Sequence, residues 1–166
     1  MTRSQILALV RKLIADEQAT GFTEGGNLEQ PAGTQELENY LNRAVDEYSK
    51  RQAANKDVRL VKETSLSNGA QLPDDFLSFC GAIPVKVTGK TVKFYVSGGT
   101  IAVRYFSRLP YVTAYGDSAT LPYEEDQSRA IAALAAVYAL NKMEADVVQD
   151  LALLGYGAAA NGTGQQ

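Results

Sequence analysis

A chain of 166 residues is long enough to bury its own core, and 45% hydrophobic residues with charges of both signs are typical of soluble globular proteins. The net charge of −3, with the basic residues scattered along the chain, argues against a protein that grips nucleic acid through its phosphates. The sequence has no His, which removes the most common general base and metal ligand, so we expect no catalytic, metal or cofactor site.

The first predicted element is an amphipathic helix over about residues 4–17. Ser4 is the expected N-cap, and apolar residues recur at helical spacing over 6–14. Arg11 and Lys12 interrupt the apolar run, so the sequence predicts no signal peptide and no membrane-spanning segment.

A long loop and a second helix follow. The stretch 19–33 is rich in Gly and polar residues, which predicts a loop. The second helix is expected over about residues 35–51, with Thr34 as its N-cap. Glu36 and Glu38 suit the positive end of its dipole.

The middle of the chain changes to the two-residue period of β-strands. Runs rich in Val, Ile, Tyr and Phe, separated by short Gly turns, predict an antiparallel meander in which consecutive runs pair. The single cysteine, Cys80, has no disulfide partner and no His to activate it, so we expect a buried, unreactive thiol. The expected strands cover about residues 57–65, 83–88, 91–97 and 100–107.

The C-terminal part returns to the helical period and predicts a helix over about residues 122–154. Whether it is continuous or broken near Asn141 stays open at this stage. Residues 155–166 predict a flexible tail that contains Tyr156. Two groups of apolar residues form the expected stripe: Ile131, Leu134, Ala135 and Tyr138, then Met143, Val147, Leu151 and Leu154.

These elements predict an α+β fold in a single domain over residues 1–154. The expected architecture is mainly an α-helical bundle, made of two N-terminal helices and one long C-terminal helix. A small antiparallel β-meander is inserted between them in the sequence.

Two similar acidic stretches, LPDDF and LPYEED, raise the question of a catalytic or metal-binding carboxylate pair. Pro is favoured at the first helical position and acids in the first turn, so both stretches predict helix starts. The first would open a short helical turn that ends at Gly81, and the second would open the long helix. We favour this interpretation over a functional site made of Asp74, Asp75, Glu124 and Glu125.

Several tyrosines and basic residues fall around the predicted sheet and the helix that follows it. Core and interface packing explains them, and stacking on single-stranded nucleic acid is the less favoured alternative because it also needs a basic groove. The residues concerned are Tyr95, Tyr105, Tyr111, Tyr115 and Tyr123, with Lys86, Lys90, Lys93, Arg104 and Arg108.

The order of these elements resembles the head-to-tail connector (adaptor, or head-completion) proteins of tailed bacteriophages. The residues that carry the resemblance are QLPDDFLSF at 71–79, the strand pair through Val96, and the Ala-rich segment 121–154. The resemblance implies a structural virion protein with no enzymatic activity. It implies a homo-oligomeric ring, commonly of twelve copies, that joins the portal at the capsid vertex to the tail and extends the DNA channel.

The resemblance also implies partners and a location. The ring would contact the portal protein and a downstream tail or neck protein, and DNA would pass without specific binding. We would expect the protein in the virion neck, assembled in the bacterial host cytoplasm. The candidate partner contacts are Phe22 for a neighbouring subunit or tail protein, and Tyr156, Gln165 and Gln166 for the portal.

Two alternative functions stay open at the level of sequence. One is another neck or tail part, such as a stopper or a tube terminator. The other is a small carboxylate-dependent enzyme or ligand-binding protein that would use the acids of the two Leu-Pro stretches.

Overall fold

The computed structural model describes residues 1–15, 32–95 and 99–153, without the side chains of residues 32–35 and 150–153. The described part is a mixed α+β structure, which confirms the expected class. The helices are α1 (Arg3–Leu13), α2 (Ala32–Ala54) and α3 (Glu125–Leu153). The strands are β1 (Val61–Ser67), β2 (Phe76–Phe79), β3 (Val85–Thr88), β4 (Thr91–Phe94) and β5 (Thr100–Ser107), and short 3-10 turns cover Val58–Leu60 and Val112–Ala114.

The chain divides into two compact units. Unit 1 comprises Met1–Asn42 and Tyr115–Gln166, and unit 2 comprises Arg43–Ala114. Helices α1 and α3 therefore belong to unit 1, the strands β1 to β5 belong to unit 2, and the division falls within α2.

Helix α1 starts with a capping box, although not at the residue that the sequence suggested. Thr2 is the N-cap: its hydroxyl accepts from Gln5 N at 3.2 Å, and the Gln5 side chain accepts from Thr2 N at 2.8 Å. Ser4, the expected cap, lies inside the helix and donates its hydroxyl to the Asp117 carbonyl at 2.9 Å. The helix ends earlier than expected, where Ala15 takes a φ of 58° that no α-helix continues.

Helix α2 and strand β1 also differ from the expected boundaries. Because α2 begins at Ala32, Thr34 lies within the helix and is not its N-cap. The predicted strand over 57–65 begins only at Val61. Its first residues form a 3-10 turn instead, since the Asp57 side chain accepts a hydrogen bond from Arg59 N at 3.0 Å.

The core of unit 1 is built from one face of each helix. Helix α1 packs against α3. The expected stripe on α3 is buried at Ile131 and Ala135 and half-buried at Leu134 and Tyr138. The other fully buried residues of this core include Ile6 and Val10 of α1, Leu37 and Leu41 of α2, and Ala132 and Ala139 of α3.

Helix α3 is continuous, which settles the question left open at Asn141. Its 29 residues run from Glu125 to Leu153. The burial does not continue along it, because the extension of the stripe is exposed at Val147. The second half of the helix therefore presents apolar residues to solvent.

Strand β5 is the central strand of a three-stranded antiparallel sheet in unit 2, in the order β1-β5-β2. Strand β1 pairs with it along its whole length, from Val61 opposite Phe106 to Ser67 opposite Thr100. Strand β2 covers the other side, with a bulge between Phe76 and Ser78. The predicted meander is therefore wrong, since β5 takes β1 and β2 as its neighbours and not β4.

The stretch after Pro73 was expected to form a helical turn and instead forms a turn followed by strand β2. Only a few residues separate Asp75 from Gly81, which is too short for a stable helix. The aromatic residues of FLSF suit a strand, because Phe76 and Phe79 pack edge to face with ring centroids 4.7 Å apart. Strand pairing therefore prevails over the helix-start pattern at this point.

Strands β3 and β4 form the expected hairpin, closed by Gly89 with a φ of 61°. Its inner face packs on the core of unit 2, which consists of the buried residues Leu66, Leu72, Val92 and Val103. Its outer face places Lys86 directly opposite Lys93. The hairpin is thus apolar toward the core and basic on the other side.

Thr2 provides a test of the capping of α1. We expect Thr2→Ala to lower the free energy of unfolding by about 1 kcal/mol, because it leaves an amide of the first turn without its partner. Ser4→Ala is the matched control, and it should cost clearly less because water replaces its exposed hydrogen bond. Urea unfolding measures both variants, and a larger loss for Ser4→Ala would contradict the capping box.

Candidate functional site

The acids after Pro73 take part in the packing of unit 2. Asp75 accepts hydrogen bonds from Lys62 of β1 at 2.5 Å and from the Tyr105 hydroxyl of β5 at 3.1 Å. Its backbone carbonyl accepts from Arg108 N at 2.6 Å. Burial, and then the hydrogen bond to Asp75, raise the pKa of Tyr105 to about 12. Asp75 therefore joins the turn before β2 to the two other strands of its sheet.

Asp74 points away from this contact. Its side chain is 92% exposed and accepts a hydrogen bond from Lys90 Nζ at 2.7 Å. The hydrogen bond from Lys90 lowers the pKa of Asp74. The two neighbouring aspartates therefore do not converge on one point, as a shared proton or a metal ion would require.

The acids after Pro122 belong to the start of α3, in unit 1. The helix begins at Glu125, three residues later than expected, with Glu125 and Asp126 in its first turn. Glu125 bonds to Arg129 at 2.5 Å, and the buried Gln127 side chain accepts from Glu124 N at 2.9 Å. This last contact resembles half of a capping box. These residues therefore stabilise the start of α3, as the sequence suggested.

Within residues 1–15, 32–95 and 99–153, no three His, Cys, Asp or Glu side chains come together to hold a metal ion. In the same part of the chain, no helix is long and apolar enough to cross a membrane.

Sequence reasoning missed a buried ion pair in unit 1. Glu38 of α2 is 7% exposed, and both Nε (3.1 Å) and Nη2 of Arg3 donate to its Oε1. Arg3 Nη1 also donates to the Tyr115 carbonyl at 3.1 Å and lies 3.3 Å from an Asp117 carboxylate oxygen. One guanidinium thus connects α1, α2 and the segment before α3, and no local pattern marks a pair 35 residues apart.

A second network in unit 2 joins Asp46, Arg108 and Tyr111. The Tyr111 hydroxyl lies 3.1 Å from both Asp46 oxygens and contacts Arg108 Nη1, while the guanidinium stacks 3.9 Å from the Tyr111 ring centre. Burial and the hydrogen bond to Asp46 raise the pKa of Tyr111. These contacts join α2 to the segment after β5 within unit 2, where Leu109 N also donates to Ser49.

The tyrosines do not form one cluster. Tyr105 and Tyr123 are buried, and burial raises the pKa of both. Tyr111 and Tyr115 are half-buried, and Tyr95 is 72% exposed. Among the described residues, these tyrosines do not form a row of exposed rings suited to stacking successive bases.

Cys80 is exposed, so the prediction of a buried thiol is wrong. It follows the last residue of β2, where its amide still donates to the Arg104 carbonyl at 3.0 Å. Strand β2 is an edge strand, and its residues that pack against the core are Phe76 and Phe79, which leaves Cys80 at the surface.

The candidate partner contacts Phe22, Tyr156, Gln165 and Gln166 lie outside the described residues. Their assignment therefore stays a prediction.

An exposed apolar face on α3 is the feature that the core does not explain. Four large side chains on one side of the helix are exposed by 45–61%: Val137, Leu140, Val147 and Val148. They follow the spacing of one helical face, and Glu144 lies among them. We call these five residues the α3 stripe. Glu144 makes no hydrogen bond or ion pair with any described residue.

A shallow groove lies on the outer side of α1, also in unit 1. Its volume is about 530 Å³, and we call it the α1 groove. Its apolar lining is interrupted by Lys12, whose ammonium has no partner among the described residues. The lining residues are Met1, Gln5, Ala8, Leu9, Lys12 and Glu125.

Comparisons with protein families, with curated proteins and with solved structures find no match to this chain.

The two aspartates after Pro73 provide a matched test of which one supports the structure. We expect Asp75→Ala to lower the free energy of unfolding by about 1–2 kcal/mol, because Tyr105 and Lys62 lose their acceptor. Asp74→Ala should leave it unchanged within error, since its side chain is exposed. Urea unfolding measures both, and equal effects would contradict the division of roles.

The buried pair in unit 1 provides a second test. Glu38→Gln should lower the free energy of unfolding by about 1–3 kcal/mol, because Arg3 keeps its charge in a largely enclosed position without its main partner. Glu47→Gln removes a carboxylate from a solvent-exposed pair with Arg51 and serves as the control. If both variants unfold at the same denaturant concentration, Arg3 and Glu38 do not hold unit 1 together.

Proposed function

We propose that this protein is a structural virion component that forms a homo-oligomeric ring between the portal and the tail of a bacteriophage. In this proposal the helices of unit 1 belong to a helical bundle, and the β segment of unit 2 is its insertion. The ring surrounds the DNA channel and catalyses no reaction. The order of elements, with its two Leu-Pro-acid stretches, is the basis for the family resemblance.

The α3 stripe is the observation that carries the proposal. A soluble chain that works alone rarely presents a row of large apolar side chains to water, and such a row is typical of a protein-binding surface. An assembly part needs surfaces of this kind, because its function is to be covered by copies and partners.

The chemistry of the acidic residues also favours an assembly role over an enzyme. Asp75 and Glu125 are paired with Lys62 and Arg129. Asp74 pairs with Lys90 at the surface. These acids have local structural partners, which favours a connector over an enzyme that would use them.

A weak overall charge suits the proposed channel. A wall that must let DNA slide should not bind phosphates tightly, and a chain with a net charge of −3 meets this condition.

Co-purification with the portal tests the proposal. The full chain should be recovered with the portal protein encoded near it, and electron microscopy of the complex should show a ring on the portal. Disruption of its gene should give filled heads without tails.

Two variants sharpen this test. Tyr156→Ala should weaken recovery of the portal, whereas Tyr95→Ala, at an exposed strand end, should not. If the portal is never recovered and the disrupted phage still carries tails, the protein is not a connector.

A further inference from the structure

We infer that the α3 stripe of one copy docks into the α1 groove of a second copy, head to tail. The inference rests on the proposed function in one respect, since it names the contact through which copies would form the ring. It depends on observations within unit 1 alone.

The two surfaces have matching chemistry. The α3 stripe contains one acid, Glu144, and the mainly apolar α1 groove contains one base, Lys12, and neither has a partner among the described residues. The acid that lines the groove, Glu125, is already paired with Arg129. Leu13, beside the groove, is a further exposed apolar residue, with 48% of its surface accessible. Docking would cover apolar surface on both sides and pair the two charges, so neither would be left buried and alone.

The two surfaces also have matching lengths. The stripe spans three helical turns from Val137 to Val148, which is roughly 17 Å. Helix α1, which lines the groove, has 11 residues and is therefore roughly 16 Å long. An amphipathic helix that lays one face in an apolar groove is a recurring way for proteins to bind a helical segment.

The stripe cannot fill the groove of its own chain. Glu125 lines the groove, and Val147 lies roughly 22 residues further along the same continuous helix. At the rise of an α-helix this separation is roughly 33 Å. A second copy must therefore supply the stripe.

This separation also sets the kind of symmetry. Each copy uses two different surfaces, so the contact is heterologous, and repeated contacts give a closed ring or an open filament. A two-fold dimer, in which stripe packs on stripe, would use one surface only. The contact is small, so we expect a dissociation constant on the order of 100 µM.

A charge exchange in the full chain tests the pairing. Sedimentation velocity from about 10 µM to about 1 mM should show self-association of the wild type. Lys12→Glu and Glu144→Lys should each weaken it at least about tenfold, and the chain with both changes should recover it, because the pair is restored with opposite sense. A double variant as weak as the single ones, or a wild type that stays monomeric at about 1 mM, overturns the inference.

A mixing experiment separates head-to-tail docking from stripe-on-stripe docking. Val147→Asp blocks the stripe and Ala8→Asp blocks the groove, so each variant alone should be monomeric. Their mixture should form a species of two chains, since one intact stripe meets one intact groove. Association of Ala8→Asp alone, or no association in the mixture, contradicts the inference.

Gln149→Asp is the matched control, because it adds the same charge two residues from Val147 on the other side of α3. It should associate as the wild type does. Every variant, the control included, should still unfold cooperatively in a thermal melt well above the assay temperature, since all the changed positions are exposed. The portal experiment is independent: normal self-association without portal recovery would contradict the proposed function and leave this contact standing.

Discussion

The position of α1 depends on the buried carboxylate of Glu38, which needs a cationic partner. Glu38 is almost fully enclosed, so folding of unit 1 requires a cation beside it, and Arg3 is the residue that provides one. The same guanidinium also reaches Tyr115 and the acid at Asp117, so the first turn of α1 is held from two sides. Apolar packing alone would allow α1 to slide or rotate, because many apolar arrangements have similar energies. The ion pair selects one of them together with two backbone hydrogen bonds, from Ser4 N to the Asp117 carbonyl and from Leu121 N to the Met1 carbonyl. That arrangement leaves the groove on the outer side of α1.

The helices could be predicted because their signal is local. Apolar residues at a period near 3.6 mark α1, α2 and α3, whichever partner they pack against. Their boundaries were predicted less well. Thr2 and Ser4 are both good caps, and the local signal that favours Thr2, a Gln three residues later that completes the capping box, was missed. The sheet could not be predicted in the same way. A Gly turn shows where the chain reverses, but whether β5 pairs with β4 or with β1 is decided by contacts between distant segments.

The candidate site shows the same limit. The interpretation of LPYEED as a helix start was correct for its acids, since Glu125 and Asp126 lie in the first turn of α3. It was wrong for Pro122, which lies before the helix and not at its first position. The prediction of a helical turn at LPDDF was wrong, because the FLSF segment pairs with β5 as a strand. Asp75 instead forms a contact between strands. Of the α3 stripe, only Val147 belonged to the apolar row that the sequence predicted on this helix. Val137, Leu140 and Val148 were not singled out, because an apolar residue that will be exposed looks the same in the sequence as one that will be buried. Only the fold shows that the core of unit 1 stops short of Leu140.

The continuity of α3 has a geometric consequence for any assembly built on its two ends. In a helix without a break, each residue adds about 1.5 Å of length and about 100° of rotation, so the number of residues fixes both the distance and the direction between its two ends. The reach from one copy to the next, and the angle between them, are then encoded in how many residues separate Glu125 from Val147. An insertion of one residue would turn the far end sideways, whereas four residues would nearly conserve its direction and lengthen the arm by about 6 Å. The circumference of a ring made in this way would be a property of helix length before it is a property of any single contact.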